Sequence, residues 1–339
     1  MQKSQVLFKK NLKSISLNQS LSFLVYDKAL LKYSPDFKIW QKQFKFQYAV
    51  KAGESLKALS QLDAHLKHIL KISSGMNTRE MQFVVVGGGS VGDFGGFVAS
   101  IFKRGVRLVH IPSTWLAAID SAHGGKTALN VGGTKNQIGT FYPPEKVFIV
   151  DNLLLAQPEK RAVEACGELI KMALIDNGSW TQKLARATSS RDALRLCLKP
   201  AILSKYKIVA KDPLEKNGMR QILNLGHTWG HVLESSLALP HGTAILAGLQ
   251  FCLNWSLNRQ ILKSTDYEKA SRYLRAIPTY QIKRIKKSQA LQFLLQDKKK
   301  NSQKTLNFIF LRGLGQASRE RVTIQDIINE ASRQGWITI

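Results

Sequence analysis

Residues 21–26 (LSFLVY) and 82–87 (QFVVVG) are short apolar runs rich in β-branched residues, bounded by turn or charge signals. That pattern predicts two buried strands. Between them, 54–72 (ESLKALSQLDAHLKHILKI) repeats its apolar residues at helical spacing and predicts a helix. Further strands are predicted at 106–111 and at 147–150, the latter running into Asp151. Strands alternating with helical stretches predict a mostly parallel sheet covered by helices, an α/β Rossmann-like domain over 1–155. Beyond it the pattern changes. Amphipathic stretches at 161–175, 191–210, 220–236, 243–262, 267–276 and 288–296 dominate, and few strand signals remain. An all-α domain is therefore expected over 156–339, with no internal repeat, low-complexity segment or long linker.

Composition narrows the class. The 339 residues are 44% apolar and 22% charged, as in soluble globular proteins. No apolar run approaches the ~18 residues that span a bilayer, so no membrane partner is expected. The lysine-dotted N-terminus lacks the compact apolar stretch of an export signal. Cys166, Cys197 and Cys252 lie far apart with no paired spacing, an odd and sparse set that argues against a disulfide framework and fits a reducing cytoplasm. The net charge of +27 would attract anions of any kind. Its lysines and arginines are spread along the chain, densest over 283–304, and read as a solvated basic surface rather than a nucleic-acid groove.

Gly87, Gly89 and Gly92 satisfy G-x-G-x-x-G directly after a predicted strand and before the apolar run 94–102. Such glycines let the backbone approach a pyrophosphate at the positive end of a helix, although a purely structural turn has the same pattern. The next strand, 105–112, does not end in the acidic residue that usually holds a ribose. Asp93 could cap the helix or belong to the site.

Three clusters carry metal-type or cationic chemistry. Glu168 and Lys171 share a helix face flanked by Leu169, Ile170, Met172, Ala173 and Leu174, so they are charges in a largely buried helix and need partners. His227 and His231 are four apart on one face, with Arg220 and Asn224 on neighbouring turns. Thr228 stands where a metalloprotease would carry its glutamate, which argues against peptide hydrolysis. His241-Gly242 opens another helix. One glutamate and two histidines with an open position make a catalytic Zn²⁺ site, or one for Co²⁺. In the first half, Asp120, Lys126, Asn130, Lys135 and Asn136 crowd a glycine-rich segment suited to anions, read otherwise as a flexible loop.

The motifs GGGSVGDFGGF, RGVRLVHIPST, IDSAHGGKTALN, GTKNQIGTFYPP, GELIK, LNLGHTWGH, HGT and DKK occur together in family order, and the chain resembles the 3-dehydroquinate synthase family of sugar phosphate cyclases from residue 20 to 315. The resemblance implies an NAD- and zinc-dependent lyase that closes a heptulosonate phosphate into a ring in the shikimate pathway. It implies Glu168, His227 and His241 as metal ligands. It places Lys171, Lys205, Arg220, Asn224, His231, Asp120, Lys126 and Asn136 in the substrate pocket, with Lys298 or Lys299 closing over it. Arg104 matches an arginine that reaches the neighbouring subunit of a homodimer. For NAD the matching positions are Gly88, Gly89, Ser90, Asp93, Ser113, Thr114 and Lys135, with Asp27, Glu54 and Lys57 around the adenosine. Asp27 and Glu54 would thus supply the missing ribose acid. Ser113, Trp115, His123, Thr243 and an extra Asn217 depart from the family pattern without deleting a ligand. Three rivals stand beside this reading. They are a sister cyclase acting on another heptose or hexose phosphate, a metal-dependent polyol dehydrogenase, and a retired enzyme serving as a basic binding protein. Arg220, Leu223 and Asn224 together favour a substrate bearing a carboxylate.

Overall fold

The structure is a computed structural model describing residues 4–77, 80–275, 277, 282–296 and 305–338. Its contacts divide the chain into two units, Met1–Arg161 and Ala162–Ile339.

The strands of the first unit are β1 (Gln5–Lys9), β2 (Ser22–Asp27), β3 (Phe46–Val50), β4 (Gln82–Gly87), β5 (Arg107–Pro112), β6 (Lys126–Val131), β7 (Thr134–Phe141) and β8 (Lys146–Val150). Six of them form an all-parallel sheet in the order β1-β8-β5-β4-β2-β3. Side chains alternate across it. Phe23, Val25, Phe83, Val85 and Leu108 join one core, and Leu24, Tyr26, Val84, Val86, Val109 and Ile111 join the other. The helices α1 (Leu30–Tyr33), α2 (Pro35–Trp40) and α5 (Asp151–Leu155) contribute to the second core, and α3 (Leu62–Ile72) and α4 (Gly89–Ile101) to the first. Burial on both faces is what makes the central strands nearly continuous apolar runs. The edge strands β1 and β3 are half-exposed and mixed in polarity, so their sequence carried no strand signal.

Two predicted elements differ. The stretch 54–72 is helical only from Leu62, because Ala58 takes extended backbone and bridges to Asn130. Two 3-10 turns, Glu54–Lys57 and Leu59–Gln61, fill the remainder. The glycine- and lysine-rich segment after Asp120 forms the antiparallel pair β6–β7 rather than a loop. Its turn is Gly132-Gly133, both with positive φ (53° and 79°), as a tight hairpin turn requires.

The second unit is mainly helical: α6 (Glu159–Asp176), α7 (Thr181–Leu184), α8 (Ser190–Lys211), α9 (His227–Leu237), α10 (His241–Asn258), α11 (Ser264–Arg275), α12 (Lys287–Gln296) and α13 (Ile324–Arg333). The predicted stretch 220–236 is broken by Leu225-Gly226 into a 3-10 segment, Met219–Asn224, and α9. A short parallel pair, β9 (Ile285–Lys286) with β12 (Ile337–Thr338), and a hairpin of β10 (Thr305–Leu311) and β11 (Ala317–Thr323) complete it. That hairpin adds strand structure to an expected all-helical unit. Phe308 and Phe310 of β10 pack edge-on against Trp255 of α10 at centroid distances of 4.8 and 4.9 Å.

His110 of β5 sits on the α4 side of the sheet beneath Gly92, and burial pushes its imidazole down to about 4. A base held neutral in the fold stabilises it above the unfolded value near 6.5 and loses that contribution as pH falls towards 4. The total is about 3 kcal/mol. Denaturant unfolding of wild type and His110→Gln across that range should show a pH-dependent gap of this size; parallel curves would refute it.

Candidate active site

Each of the three ligand-type residues lies beside a glycine: Gly167-Glu168 on α6, Gly226-His227 at the start of α9, and His241-Gly242 at the start of α10. The glycines explain why the residues meet. A Cβ on Gly242 would lie 1.5 Å from the Glu164 carbonyl oxygen, and one on Gly167 would lie 2.4 Å from the Gly242 carbonyl oxygen. Between α9 and α10, a Cβ on Gly248 would fall 1.9 Å from the Gly226 carbonyl oxygen. Backbone therefore rests on backbone at both crossings, which a residue with a side chain does not permit.

The approach sets the geometry of the cluster. Nε2 of His227 and Nε2 of His241 lie 3.4 and 3.3 Å from the same oxygen of Glu168, and one ligand atom from each residue falls within 4.8 Å of the others. The second nitrogen of each ring has its own acceptor: His227 Nδ1 lies 3.2 Å from the Leu225 carbonyl and His241 Nδ1 lies 2.9 Å from Glu234. With a metal ion bound, a proton kept at Nδ1 would leave the Nε2 lone pair of each ring for the ion, the Nε2 proton of His241 being released on binding. Lys171 pairs with the other oxygen of Glu168.

Glu168 is only 1% exposed. Burial would raise its pKa, but the Lys171 charge, the His241 hydrogen bond and the two imidazoles hold it well below the usual range. Burial, reinforced by Lys171, pushes His227 down to about 3. At His241 burial acts downward too, yet hydrogen bonds to Glu168 and Glu234 raise it to about 10. A neutral imidazole, an ionised carboxylate and a second imidazole between two carboxylates form a donor set that fits a divalent ion. Mixed nitrogen and oxygen ligands suit Zn²⁺ or Co²⁺.

The other predicted residues of this unit fall into two groups. Lys205 and Arg220 are nearly buried, as a cation needs to be to bind an anion strongly. Arg220 is positioned by Asp212, which accepts from its backbone N–H at 3.2 Å, while its Nη1 donates to the Pro213 carbonyl at 3.0 Å. Desolvation opposes ionisation of Asp212, but backbone N–H groups of Arg220, Asn217, Lys216 and Gly218 lower its pKa. The extra Asn217 belongs to this turn: its side chain accepts from Met219 N at 3.0 Å. Asn224 and His231 are exposed, and His231 stacks edge-on to His227 at 5.2 Å. Lys298 and Lys299 lie outside the described residues. Thr243 is buried in the first turn of α10.

In the first unit the predicted nucleotide residues gather where strands end. Asp27 closes β2, Glu54 and Lys57 follow β3, Gly88 to Asp93 follow β4, and Ser113-Thr114 follow β5. Ligands of open parallel sheets bind at this carboxyl edge. Gly53 N donates to Ser90 Oγ at 3.0 Å and Ser113 N to the Gly87 carbonyl at 2.9 Å, which fastens the loops to one another. A Cβ on Gly88 would come within 3.2 Å of Thr114 Cγ2, and no side chain caps the start of α4. Free N–H groups at that helix start, in a trough only glycine keeps open, fit a pyrophosphate. Gly87, Gly88, Pro112, Ala117 and Ser121 line a cleft there.

Lys57 is nearly buried and donates to Asp93 at 2.8 Å and to Asn136 at 2.5 Å. Asn130 donates to Glu54 at 2.8 Å and accepts from Asn136 N at 2.9 Å. Residues predicted for the adenosine thus also hold the β6–β7 hairpin, which carries Lys126, Lys135 and Asn136 exposed. Asp120 lies in the helical turn Ala117–Ser121, where its carbonyl accepts from His123 N at 3.2 Å. His123 and Trp115 are buried, the former with Nε2 2.7 Å from the Ala118 carbonyl. Arg104 is exposed and, with Lys103, takes left-handed backbone (φ 68° and 51°). Two such residues in a row cost roughly 1–2 kcal/mol each.

Sequence reasoning missed Glu234 and Asp212, although Glu234 stands seven residues after His227 and three after His231 on the same helix.

The fold is one shared by solved synthases and dehydrogenases. It superposes on a 2-deoxy-scyllo-inosose synthase, crystallised with carbaglucose-6-phosphate, NAD+ and Co2+, with a TM-score of 0.81 at 24% identity over 97% of this chain and 96% of that one. A 2-epi-5-epi-valiolone synthase from Streptomyces hygroscopicus gives 0.80 at 20% identity, covering 98% and 97%. An iron-containing alcohol dehydrogenase from Thermotoga maritima gives 0.63 at 15% identity, covering 99% and 98%.

The family models for the 3-dehydroquinate synthase N-terminal and C-terminal regions match residues 47–164 and 165–300. The 3-dehydroquinate synthase of Alkaliphilus oremlandii is 38% identical over 254 residues, 73% of this chain and 67% of its own. That of Bartonella tribocorum is 35% identical over 287 residues, 80% and 75%. The chain belongs to the 3-dehydroquinate synthase family.

Gly242→Ala should lower the melting temperature, costing about 1–3 kcal/mol as overpacking does. Because it forces α10 from α6, it should also weaken Zn²⁺ binding measured by chelator competition. Wild-type stability and affinity would contradict the backbone-contact account.

Proposed function

We propose that this chain converts 3-deoxy-D-arabino-heptulosonate 7-phosphate into 3-dehydroquinate and inorganic phosphate, a carbon–oxygen lyase step of the shikimate pathway. The observation that carries the reading is the Glu168, His227 and His241 cluster with Lys171 beside it, in a chain 35–38% identical to curated synthases. When bound, a divalent ion would polarise the substrate oxygen as a Lewis acid, and NAD+ would take up and return the hydride. Glu168, His227 and His241 would hold that ion.

The chain's own residues bind and orient. Arg220 and Lys205, nearly buried, offer charge-assisted hydrogen bonds to carboxylate or phosphate. Lys171 balances the charge of Glu168 and keeps it ionised. The trough at Gly88 and the start of α4 take the pyrophosphate, with Asp27, Glu54 and Lys57 about the adenosine and Ser90, Asp93, Thr114 and Lys135 around the cradle. In this reading Asp120, Lys126 and Asn136 of the first unit and Asn224 and His231 of the second serve the substrate, and so does Lys298 or Lys299, both outside the described residues. A homodimer in which Arg104 reaches the neighbouring subunit belongs to this reading, and so does a cytoplasmic location. Cys166, Cys197 and Cys252 are buried thiols, none of them in a disulfide, and burial raises the Cys252 thiol to about 12. Among the described residues no helix is long and apolar enough to cross a membrane.

Purified protein with NAD+ and Zn²⁺ should release phosphate from the heptulosonate phosphate with matching dehydroquinate and no accumulation of NADH. Phosphate release from another heptose or hexose phosphate alone would move the chain to a sister cyclase. Net NADH from a polyol would make it a dehydrogenase. Glu168→Gln and His227→Ala should lose bound metal and turnover together; full turnover by metal-free protein would overturn the ligand assignment. Arg220→Ala should weaken substrate binding roughly 10- to 100-fold while the Kd for NAD+ holds. Unchanged substrate affinity would remove its role.

A further inference from the structure

Glu234 belongs to none of the proposed ligands or substrate groups, yet at 2.9 Å it lies closer to a ligand-type imidazole than Glu168 or the Leu225 carbonyl does. It lies on α9, on the face of His227 and His231, and points across to the first residue of α10. There its Oε2 accepts from His241 Nδ1 at 2.9 Å, while His241 Nε2 faces Glu168 at 3.3 Å. His241 needs such an anchor more than His227 does. His227 rests its Nδ1 on the Leu225 carbonyl, two residues away in its own chain turn. His241 opens α10 directly after Pro240, and the acceptor at its Nδ1 comes from another helix, α9.

We infer that Glu234 is a positioning residue for the metal centre: it holds the proton of His241 on Nδ1 and turns Nε2 towards Glu168 and His227. The inference rests on the metal-dependent reading above. A carboxylate in this position does two things that a backbone carbonyl does less well. It raises the donor strength of the imidazole, and it adds negative charge near the ion. Glu234 also stands with His231 and His241 in a second group whose ligand-type atoms lie within 4.8 Å of one another. Direct ligation by Glu234 is the competing role, and it differs in metal count.

The experiment compares wild type, Glu234→Gln and Glu234→Met for Zn²⁺ affinity by chelator competition, metal content per chain, and the visible spectrum of the Co²⁺ form. The amide oxygen of glutamine still accepts from Nδ1, whereas methionine has the volume without the acceptor. Expected are one ion per chain throughout, an affinity loss of roughly 10- to 100-fold in Glu234→Met with a changed Co²⁺ spectrum, and substantial rescue in Glu234→Gln. The Kd for NAD+ should be the same in all three, which a general disturbance of the fold would not leave intact. Wild-type affinity and spectrum in Glu234→Met would overturn the inference. So would two ions in wild type with one lost in both variants, which makes Glu234 a direct ligand. Because none of these readouts needs substrate, a failure to turn over the heptulosonate phosphate tests the proposed reaction separately.

Discussion

A carboxylate at 1% exposure is the constraint around which the second unit is arranged. An isolated charge there would be neutralised by protonation rather than tolerated. Glu168 stays ionised because Lys171 lies one turn further along its own helix and two imidazoles from α9 and α10 converge on its other oxygen. Buried charge sets of this kind add little to stability, since desolvation offsets most of the attraction. Their worth here lies in chemistry. The same arrangement that keeps the carboxylate charged keeps His227 neutral, and a ligand must be both deprotonated and aimed.

The first unit is arranged differently, around the edge where its parallel strands end. Parallel strands end along one edge, and the loops after β2, β3, β4 and β5 converge there. Lys57 does the joining. It ties Asp93 in the first turns of α4 to Asn136 on the hairpin, and burial raises the Asp93 pKa against the pull of that lysine. The hairpin is held at its base by these contacts and by Asn130 to Glu54, while its outer face remains open to solvent.

Much of this was legible in the chain. The central strands announced themselves because they are apolar on both faces, and the Glu168, His227 and His241 cluster because charged and imidazole side chains interrupt apolar helices. What was not legible has physical reasons. The edge strands β1 and β3 bury too little to show a pattern, and β11 (ASRERVT) is polar because one face meets water. The Gly132-Gly133 turn was a hairpin signal that the surrounding lysines and asparagines masked. The break at Leu225-Gly226 could not be read from apolar periodicity, because the pattern runs through it and only the left-handed Gly226 reveals it. Glu234 meets a ring nitrogen seven residues on and Asp212 a backbone N–H eight residues on, each across a break between elements, and no spacing rule points to such partners.

The glycines beside Glu168, His227 and His241 have a consequence for how such a protein can change. Where helices meet through carbonyl oxygens and α-carbons, the distance between them is fixed by peptide dimensions and not by which side chains fill the core. Drift in the surrounding residues leaves the ligand cage the same size. The cations proposed to bind the substrate, Lys205 and Arg220 among them, sit on other positions and are under no such restraint. A lineage built this way can therefore explore new sugar phosphates while inheriting an unaltered cage, and the positions least free to vary are those that never touch the substrate.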